Sequence, residues 1–297
     1  MKLARVLLIG HLAALVFGLA GLLIALPNPQ WWAADPRALQ VFDFGMSYGG
    51  ATHILFGAAA MFAYAWVVIG KRRTLIFFAV SCLLSLSSEL IGTGTGWPFG
   101  NYAYTDFLGY KVLGRVPFTI PLSWFYLGLA AYMLGTLLAS RIGGRLTFWA
   151  LFFGVWLLTA WDLVLDPAMA DPSLRVQFWT WHESGPYFGM PIQNLVGWSV
   201  TGLLYMGLSR LLWRQNLTPA ALAPTAWFPF AVYAANLIFA MVLSLGAGLW
   251  PPVVLALIAG MAPAWLAMRS PDPGGAGEPS PTTAWRPRTP EAPRQSA

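Results

Sequence analysis

Residues 117–165 read PFTIPLSWFYLGLAAYMLGTLLASRIGGRLTFWALFFGVWLLTAWDLVL and contain only three charged residues, Arg141, Arg145 and Asp162. The two arginines divide this stretch into apolar runs at 117–139 and 146–165. Each run has about the 20 residues that a helix needs to cross the hydrocarbon core of a bilayer. The stretch therefore predicts two consecutive transmembrane helices joined by a short, positively charged loop.

Similar runs recur along the whole chain. The predicted spans are 6–26, 48–69, 74–92, 117–139, 146–165, 191–213, 225–248 and 250–268. Of the 297 residues, 58% are hydrophobic and 9% are charged, whereas soluble domains carry roughly 25% charged residues. Because so few charges cannot cover a soluble globule, we predict an all-α, polytopic integral membrane bundle of about eight helices.

Lysine and arginine are distributed unevenly between the loops. With the N-terminus inside, the cytoplasmic segments hold ten of them: Lys2, Arg5, Lys71, Arg72, Arg73, Arg141, Arg145, Arg210, Arg214 and Arg269. The outer loops hold four: Arg37, Lys111, Arg115 and Arg175. The positive-inside rule therefore predicts that both termini are cytoplasmic and that the protein is a multi-pass protein of the plasma membrane. The net charge of +6 reflects this topology and contact with anionic lipids, and we predict no nucleic-acid partner.

The spans form one predicted domain, residues 1–269. Residues 270–297 are rich in Pro, Gly, Ser and Thr and lack apolar periodicity, which predicts a disordered cytoplasmic tail. The single cysteine, Cys82, excludes an intrachain disulfide and a multi-cysteine metal site. The histidines are too few and too scattered for a di-iron centre: His11, His53 and His182. We therefore predict no metal and no redox cofactor.

Polar residues inside the spans fall on single helical faces, and ionisable groups in such positions usually face a functional cavity. Glu89 lies on a stripe of small residues in the third span, and Asp162 and Asp166 share one face of the fifth. The second and sixth spans place His53 and Asn194 at the same depth, near the outer surface. The two longest outer loops, 93–116 and 166–190, are rich in Gly and aromatic residues. The pattern predicts an outer cavity lined with carboxylates and roofed by aromatic loops.

Each of these residues also has a structural interpretation. Tryptophan and tyrosine near a membrane surface often act as interfacial anchors. His53 alone is consistent with a packing residue, and Asp166, directly before Pro167, with the end of a helix. Glu89 and Asp162 are harder to explain structurally, because a charge within a span has a high desolvation cost.

Several motifs in and around the predicted cavity resemble the membrane carotenoid hydratase family. They are ELIGTGTGWPFGNYAY at 89–104, LGYK at 108–111, VPFTIPLSW at 116–124, WDLVLDPAM at 161–169 and YFGMPIQNLVGW at 187–198. The resemblance is densest over residues 85–200. It implies addition of water to the terminal 1′,2′ double bond of an acyclic ψ-end group, as in γ-carotene, lycopene or bisanhydrobacterioruberin, to give a tertiary alcohol.

The residue types agree with that chemistry. Alkene hydration needs an acid, stabilisation of a tertiary cation and a base that positions water. Buried carboxyl groups suit the acid and base, and aromatic faces suit the cation. The predicted catalytic residues are Glu89, Asp162 and Asp166, without assignment of acid and base. The predicted substrate-binding residues are His53, Trp97, Asn101, Tyr102, Tyr104, Trp161, Trp181, Asn194 and Trp198.

Other functions share some of these features. Asp162 and Asp166 have the Asp-x-x-x-Asp spacing that can hold Mg²⁺ and a diphosphate, as in an intramembrane prenyltransferase, although no second aspartate-rich motif is present. Carotenoid end-group cyclisation uses related cation chemistry. Outside enzymes, buried acids would serve as proton-relay groups in a transporter, or the chain would be a lipid-binding membrane protein.

The predicted topology can be tested with reporter fusions. A periplasm-facing reporter fused after Ser184 should be active and one fused after Arg72 should be inactive, because the loops that contain these residues lie on opposite sides. Enzymatic readout of both fusions, normalised to their expression, checks this. The reverse pattern would show that the orientation is wrong.

Overall fold

The computed structural model describes residues 1–142 and 145–269, and the predicted tail at 270–297 lies outside them. Within the described residues, eight helical segments are long and apolar enough to cross a membrane, which confirms the predicted polytopic bundle. They are α1 (Lys2–Ala20, continued by a π-turn at Gly21–Ala25), α2 (Pro36–Val68), α3 (Lys71–Thr95), α4 (Thr119–Ile142), α5 (Leu146–Met169), α6 (Ile192–Trp213), α8 (Trp227–Gly246) and the last span, Trp250–Met268. Between α6 and α8 lies the short helix α7 (Pro219–Leu222). The last span consists of α9 (Trp250–Leu255), a π-turn at Ala256–Met261 and α10 (Ala262–Met268).

Helix α2 begins twelve residues before the predicted start of its span at 48. The Asp35 carboxylate caps it by accepting a hydrogen bond of 2.9 Å from the Arg37 N–H, and Pro36 occupies the first helical position. Its 33 residues span about 50 Å at 1.5 Å per residue, which exceeds the roughly 30 Å hydrocarbon core. Hydropathy located the apolar part of this helix and missed its first turns, which include the charged residues Arg37 and Asp43.

Helix α4 is the centre of the bundle. Nearly all of its residues from Thr119 to Ala139 are buried, and it packs against α2, α3, α5 and α8. It comes closest to α5, where a Cβ atom added to Gly135 would lie only 2.5 Å from the backbone nitrogen of Gly154. Small residues at such a crossing let two membrane helices pack backbone against backbone. Helices α4 and α5, which correspond to the predicted spans at 117–139 and 146–165, therefore form the helical hairpin at the core of the fold.

The two long loops between spans pair with each other. Strand β1 (Tyr102–Tyr104) of the first loop runs antiparallel to β4 (Trp179–Trp181) of the second, with Tyr102 opposite Trp181 and Tyr104 opposite Trp179. A smaller hairpin joins β2 (Lys111–Val112) to β3 (Val116–Pro117). Because alternate strand residues share a face, Tyr102, Tyr104, Trp179 and Trp181 lie on one side of the β1–β4 ribbon. Sequence analysis predicted the aromatic roof but not this strand pairing.

A buried polar network holds α1, α2, α4 and α8 together around His11. His11 Nδ1 donates to the His53 carbonyl oxygen at 2.7 Å, and its Nε2 accepts from the Asn236 side-chain amide at 2.9 Å. The side-chain oxygen Oδ1 of Asn236 in turn accepts a hydrogen bond from the Tyr126 hydroxyl at 2.8 Å. These partners assign a neutral His11 with its proton on Nδ1. Each polar group of the network is thus satisfied by a partner on another helix.

We expect Gly57→Ala to destabilise the fold, because the new Cβ would lie 2.9 Å from His11 Cε1 and 3.1 Å from Tyr126 Cζ. Overpacking of a fixed site costs roughly 1–3 kcal/mol. Thermal unfolding in detergent measures the effect. Gly207→Ala is the matched control, since its Cβ would meet nothing within 4 Å. Equal unfolding temperatures for the two variants would contradict the close packing at His11.

Candidate active site

A cavity of about 60 Å³ lies beneath the β1–β4 ribbon, at one end of the bundle. Six helices contribute polar residues to its wall: His53 from α2, Glu89 from α3, Ser123 from α4, Asp166 from α5, Asn194 from α6 and Asn236 from α8. The ribbon covers it with Tyr102, Tyr104, Trp179 and Trp181. The structure therefore brings together polar groups that are separated by up to 183 positions (53 to 236) in the chain.

Glu89 accepts hydrogen bonds from three different side chains. Its Oε2 accepts from the hydroxyls of Tyr102 and of Tyr104, the latter at 2.9 Å, and its Oε1 accepts from the Trp124 indole N–H at 3.0 Å. A carboxylate has acceptor positions for all three donors. Glu89 is only 3% exposed, so these bonds replace water as its hydrogen-bonding environment.

The two roof tyrosines remain hydrogen-bond donors over a wide pH range. Burial, followed by the negative charge of Glu89, raises the pKa of Tyr102 and of Tyr104 well above the ordinary value. Lys111 supports this part of the roof, because its Nζ donates to the Tyr104 carbonyl oxygen at 2.7 Å and pairs with Asp106 at 2.7 Å. The roof therefore holds two protonated hydroxyls against Glu89.

Asp162 and Asp166 form a second acidic group, joined by Asn194. The Asn194 side-chain amide donates to Asp162 Oδ2 at 3.0 Å and to Asp166 Oδ2 at 2.6 Å. Asp166 lines the cavity, whereas Asp162 lies behind it. Asp162 Oδ1 is buried and has no hydrogen-bond partner among the described residues. Of the two, Asp166 is therefore the one that a molecule in the cavity can contact.

Aromatic rings form most of the remaining wall. Trp124 stacks on Trp198 with ring centroids 3.9 Å apart, and Trp161 meets Trp198 edge-on at 5.6 Å. The indole N–H groups of Trp161 and Trp181 are buried, and neither has an acceptor within residues 1–142 and 145–269. The cavity thus offers aromatic faces and carboxyl groups, and two indole N–H groups of residues in its wall have no acceptor among the described residues.

Two of the predicted substrate-binding residues do not line this cavity. Trp97 is 63% exposed, because the left-handed Gly96 (φ 78°) ends α3 and turns the chain so that Phe99 is buried instead. Asn101 is exposed, and its backbone joins the two loops by donating to Glu183 Oε1 and accepting from the His182 N–H. Their position in the aromatic loop predicted contact with the substrate, but the local chain geometry places both side chains outside the cavity lining.

The other predicted binding residues line the cavity: His53, Tyr102, Tyr104, Trp161, Trp181, Asn194 and Trp198. The predicted binding residues did not include Phe99, Ser123, Trp124, Trp179 and Asn236, which also line the cavity. Trp124 carried a usable signal, since a tryptophan deep in a span needs an acceptor for its N–H. Phe99 carried none, because its position depends on close approach to Gly92 of α3 and Gly197 of α6.

Comparison with known proteins identifies the family. The family described as "Carotenoid biosynthesis protein" matches residues 49–263. The chain belongs to this family. The matched segment includes every residue that lines the cavity and excludes α1. The resemblance to a carotenoid biosynthetic family is thereby confirmed.

One relative with a similar sequence is the bisanhydrobacterioruberin hydratase of Haloarcula japonica. Its sequence is 32% identical to the present chain over 193 residues, which are 64% of the present chain and 60% of the relative. The chain thus spans about 60% of the length of that relative. No solved structure has significant similarity to the chain.

The raised pKa of the roof tyrosines can be measured by alkaline titration. At about pH 11, one unit above the ordinary tyrosine pKa, Tyr102 and Tyr104 should still be neutral in the folded protein. Folded wild type and the folded Tyr102→Phe/Tyr104→Phe variant should therefore develop equal phenolate absorbance. After denaturation, the wild type should exceed the variant by two tyrosinates. A difference of two already in the folded proteins would contradict the buried, donor role of these hydroxyls.

Proposed function

We propose that the chain is a carotenoid hydratase of the plasma membrane that adds water to the 1′,2′ double bond of an acyclic ψ-end group. The observation that carries this proposal is the cavity in which Glu89 and Asp166 face a wall of tryptophan rings. The family match and the hydratase from Haloarcula japonica support the same reaction class. γ-Carotene and lycopene are the candidate substrates, because both have an acyclic ψ-end.

The reaction requires two bond-forming steps. A carboxylic acid protonates C2′, and the electron pair of the double bond becomes the new C–H bond, which leaves a tertiary cation at C1′. A water molecule then bonds to C1′ and loses one proton to a carboxylate. The product is a tertiary alcohol, and the sum of the steps is addition of one water. Because acid, base and cation stabilisation are all available from side chains, the proposed reaction needs no cofactor.

The aspartate pair is our candidate for the acid. Asp162 and Asp166 lie one helical turn apart and share one amide group, and two adjacent carboxylates in an apolar site cannot easily both be charged. A proton shared by the pair is then available at Asp166, which lines the cavity. Asn194 positions the pair by holding one oxygen of each carboxyl group.

Glu89 is our candidate for the base. Three donors hold its carboxylate in one orientation, which suits a group that stabilises the cation and accepts the proton of the attacking water. The indole N–H groups of Trp161 and Trp181, which have no acceptor in the described part of the chain, are the proposed donors to that water and to the hydroxyl of the product. The rings of Trp124 and Trp198 contribute cation–π stabilisation, which reaches ~2 kcal/mol when desolvated.

We expect Glu89→Gln and Asp166→Asn to lower hydration by about 10²–10⁴-fold, because an amide cannot replace a general acid or base. Asp162→Asn should cost less, since Asp162 does not line the cavity. The assay supplies lycopene or γ-carotene to cells that express each variant and measures the mass gain of one water in the product. Asp43→Asn, an exposed carboxylate on α2, is the control and should leave the rate unchanged.

Two results would contradict this proposal at different levels. If well-expressed wild type gives no hydrated carotenoid from either substrate, the assigned reaction is wrong. If wild type is active and both Glu89→Gln and Asp166→Asn remain within a few-fold of it, the reaction stands and the carboxylate mechanism fails.

A further inference from the structure

A second, larger cavity of about 590 Å³ adjoins the candidate active site. It lies between the second half of α1 with its π-turn, the first half of α2 and the outer loops. Its wall is mainly apolar and includes Phe17, Leu22, Phe42, Met46 and Phe178. Asp35 and Arg37, at the start of α2, are the charged residues that line it.

The two cavities meet at His53 and Phe239, which line both of them. The two rings stack with centroids 5.7 Å apart, and His53 is held from behind because its carbonyl oxygen accepts from His11. The junction therefore consists of the His53 imidazole, whose backbone carbonyl belongs to the buried network, and of Phe239 on α8. A long ligand that occupied both cavities would therefore contact this pair.

The volumes of the two cavities indicate that each would hold a different part of a long ligand. The carboxylate cavity has room for a few waters and a small branched end group, but not for a long polyene. The apolar cavity falls within the roughly 300–1,000 Å³ that is typical of sites for small organic ligands. It also reaches the apolar outside of the bundle, since its lining residues Phe17, Ile24 and Val41 are 47–56% exposed. A ligand dissolved in lipid can therefore contact it directly.

We propose that this cavity binds the polyene chain of the carotenoid, with the end group lying beyond the His53–Phe239 pair, against Glu89 and Asp166. The inference rests on the proposed function, and it adds a second subsite that selects for a long conjugated chain. In this arrangement α1, which lies outside the family match, forms one wall of the polyene site.

Two glycines allow the cavity to be filled without disturbing the fold. Cβ atoms added to Gly49 on α2 and to Gly21 on the π-turn would meet nothing within 4 Å, and both residues line the apolar cavity but not the carboxylate cavity. Gly49→Leu and Gly21→Leu should therefore occupy the polyene site from opposite walls. Gly207→Leu on α6 is the matched control, because it is equally unobstructed and lines neither cavity.

The test compares a long and a short substrate of the purified, full-length protein in detergent. Lycopene binding is measured by quenching of tryptophan fluorescence, and hydration is measured by mass for lycopene and for a short acyclic terpene with the same terminal alkene. Each cavity-filling variant should weaken lycopene binding and hydration by about tenfold or more. Hydration of the short terpene should stay within about twofold of wild type, as should all activities of Gly207→Leu.

Each outcome decides the proposal. Unchanged lycopene binding in folded Gly49→Leu and Gly21→Leu would overturn it and leave a lipid acyl chain as the occupant of the cavity. Equal loss of both substrates would also overturn it, since the subsite would not be specific for the polyene. If wild type binds lycopene in a Gly49-dependent manner yet hydrates nothing, the polyene site stands and the proposed function fails. Because the two glycines lie on different segments, a folding failure in one variant leaves the other to decide.

Discussion

The burial of carboxyl groups inside an apolar bundle is the constraint on which the rest of this structure depends. A bilayer offers no water to hydrogen-bond a charged group, so its partners must come from the protein. Glu89 obtains them from Trp124 on the central helix and from two tyrosines of the roof. The ribbon therefore does more than close the bundle, since it supplies two of the three donors that allow Glu89 to be buried. The burial of Glu89 therefore depends on the ribbon that covers the site.

The same constraint operates in the buried network around His11. His11 is completely buried, and every polar atom of its ring is used, one nitrogen by the His53 carbonyl and the other by Asn236. This satisfies a polar group in the core and also fixes the backbone of α2 at His53. A structural network thus determines where the junction between the two cavities lies. The carboxylates and the His53 backbone are thus held by hydrogen bonds from other helices and from the β1–β4 ribbon.

The fold was largely predictable, because the length of an apolar run and the position of arginines report directly on a bilayer. The depth at which His53, Glu89, Asp166 and Asn194 meet was also predictable, since helical periodicity and topology together give two coordinates for each residue. The positions of individual loop side chains could not be predicted, because they depend on turns in the loops and on close contacts with the helices. Trp97 and Asn101 look equivalent to Tyr102 and Tyr104 in sequence, yet the turn at Gly96 and the strand pairing with residues 179–181 separate them. Phe99, in turn, enters the site only because two glycines on different helices leave room for its ring.

Hydration and cyclisation share the same tertiary cation, so the difference between them lies in what the cavity offers that cation. A cyclase must keep water away and fold the chain back on itself, which calls for a wide, uniformly apolar pocket. Here the compact cavity adjoins a larger apolar one, and its wall includes a carboxylate held by three donors and two tryptophans whose indole N–H groups have no acceptor among the described residues. Leaving a buried donor unpaired costs about 1–3 kcal/mol, and a water molecule or an alcohol that came within hydrogen-bond distance of these N–H groups would relieve that cost. A site of this kind favours capture of the cation by water, and this is why the polar details of the wall, more than the acids alone, support a hydratase.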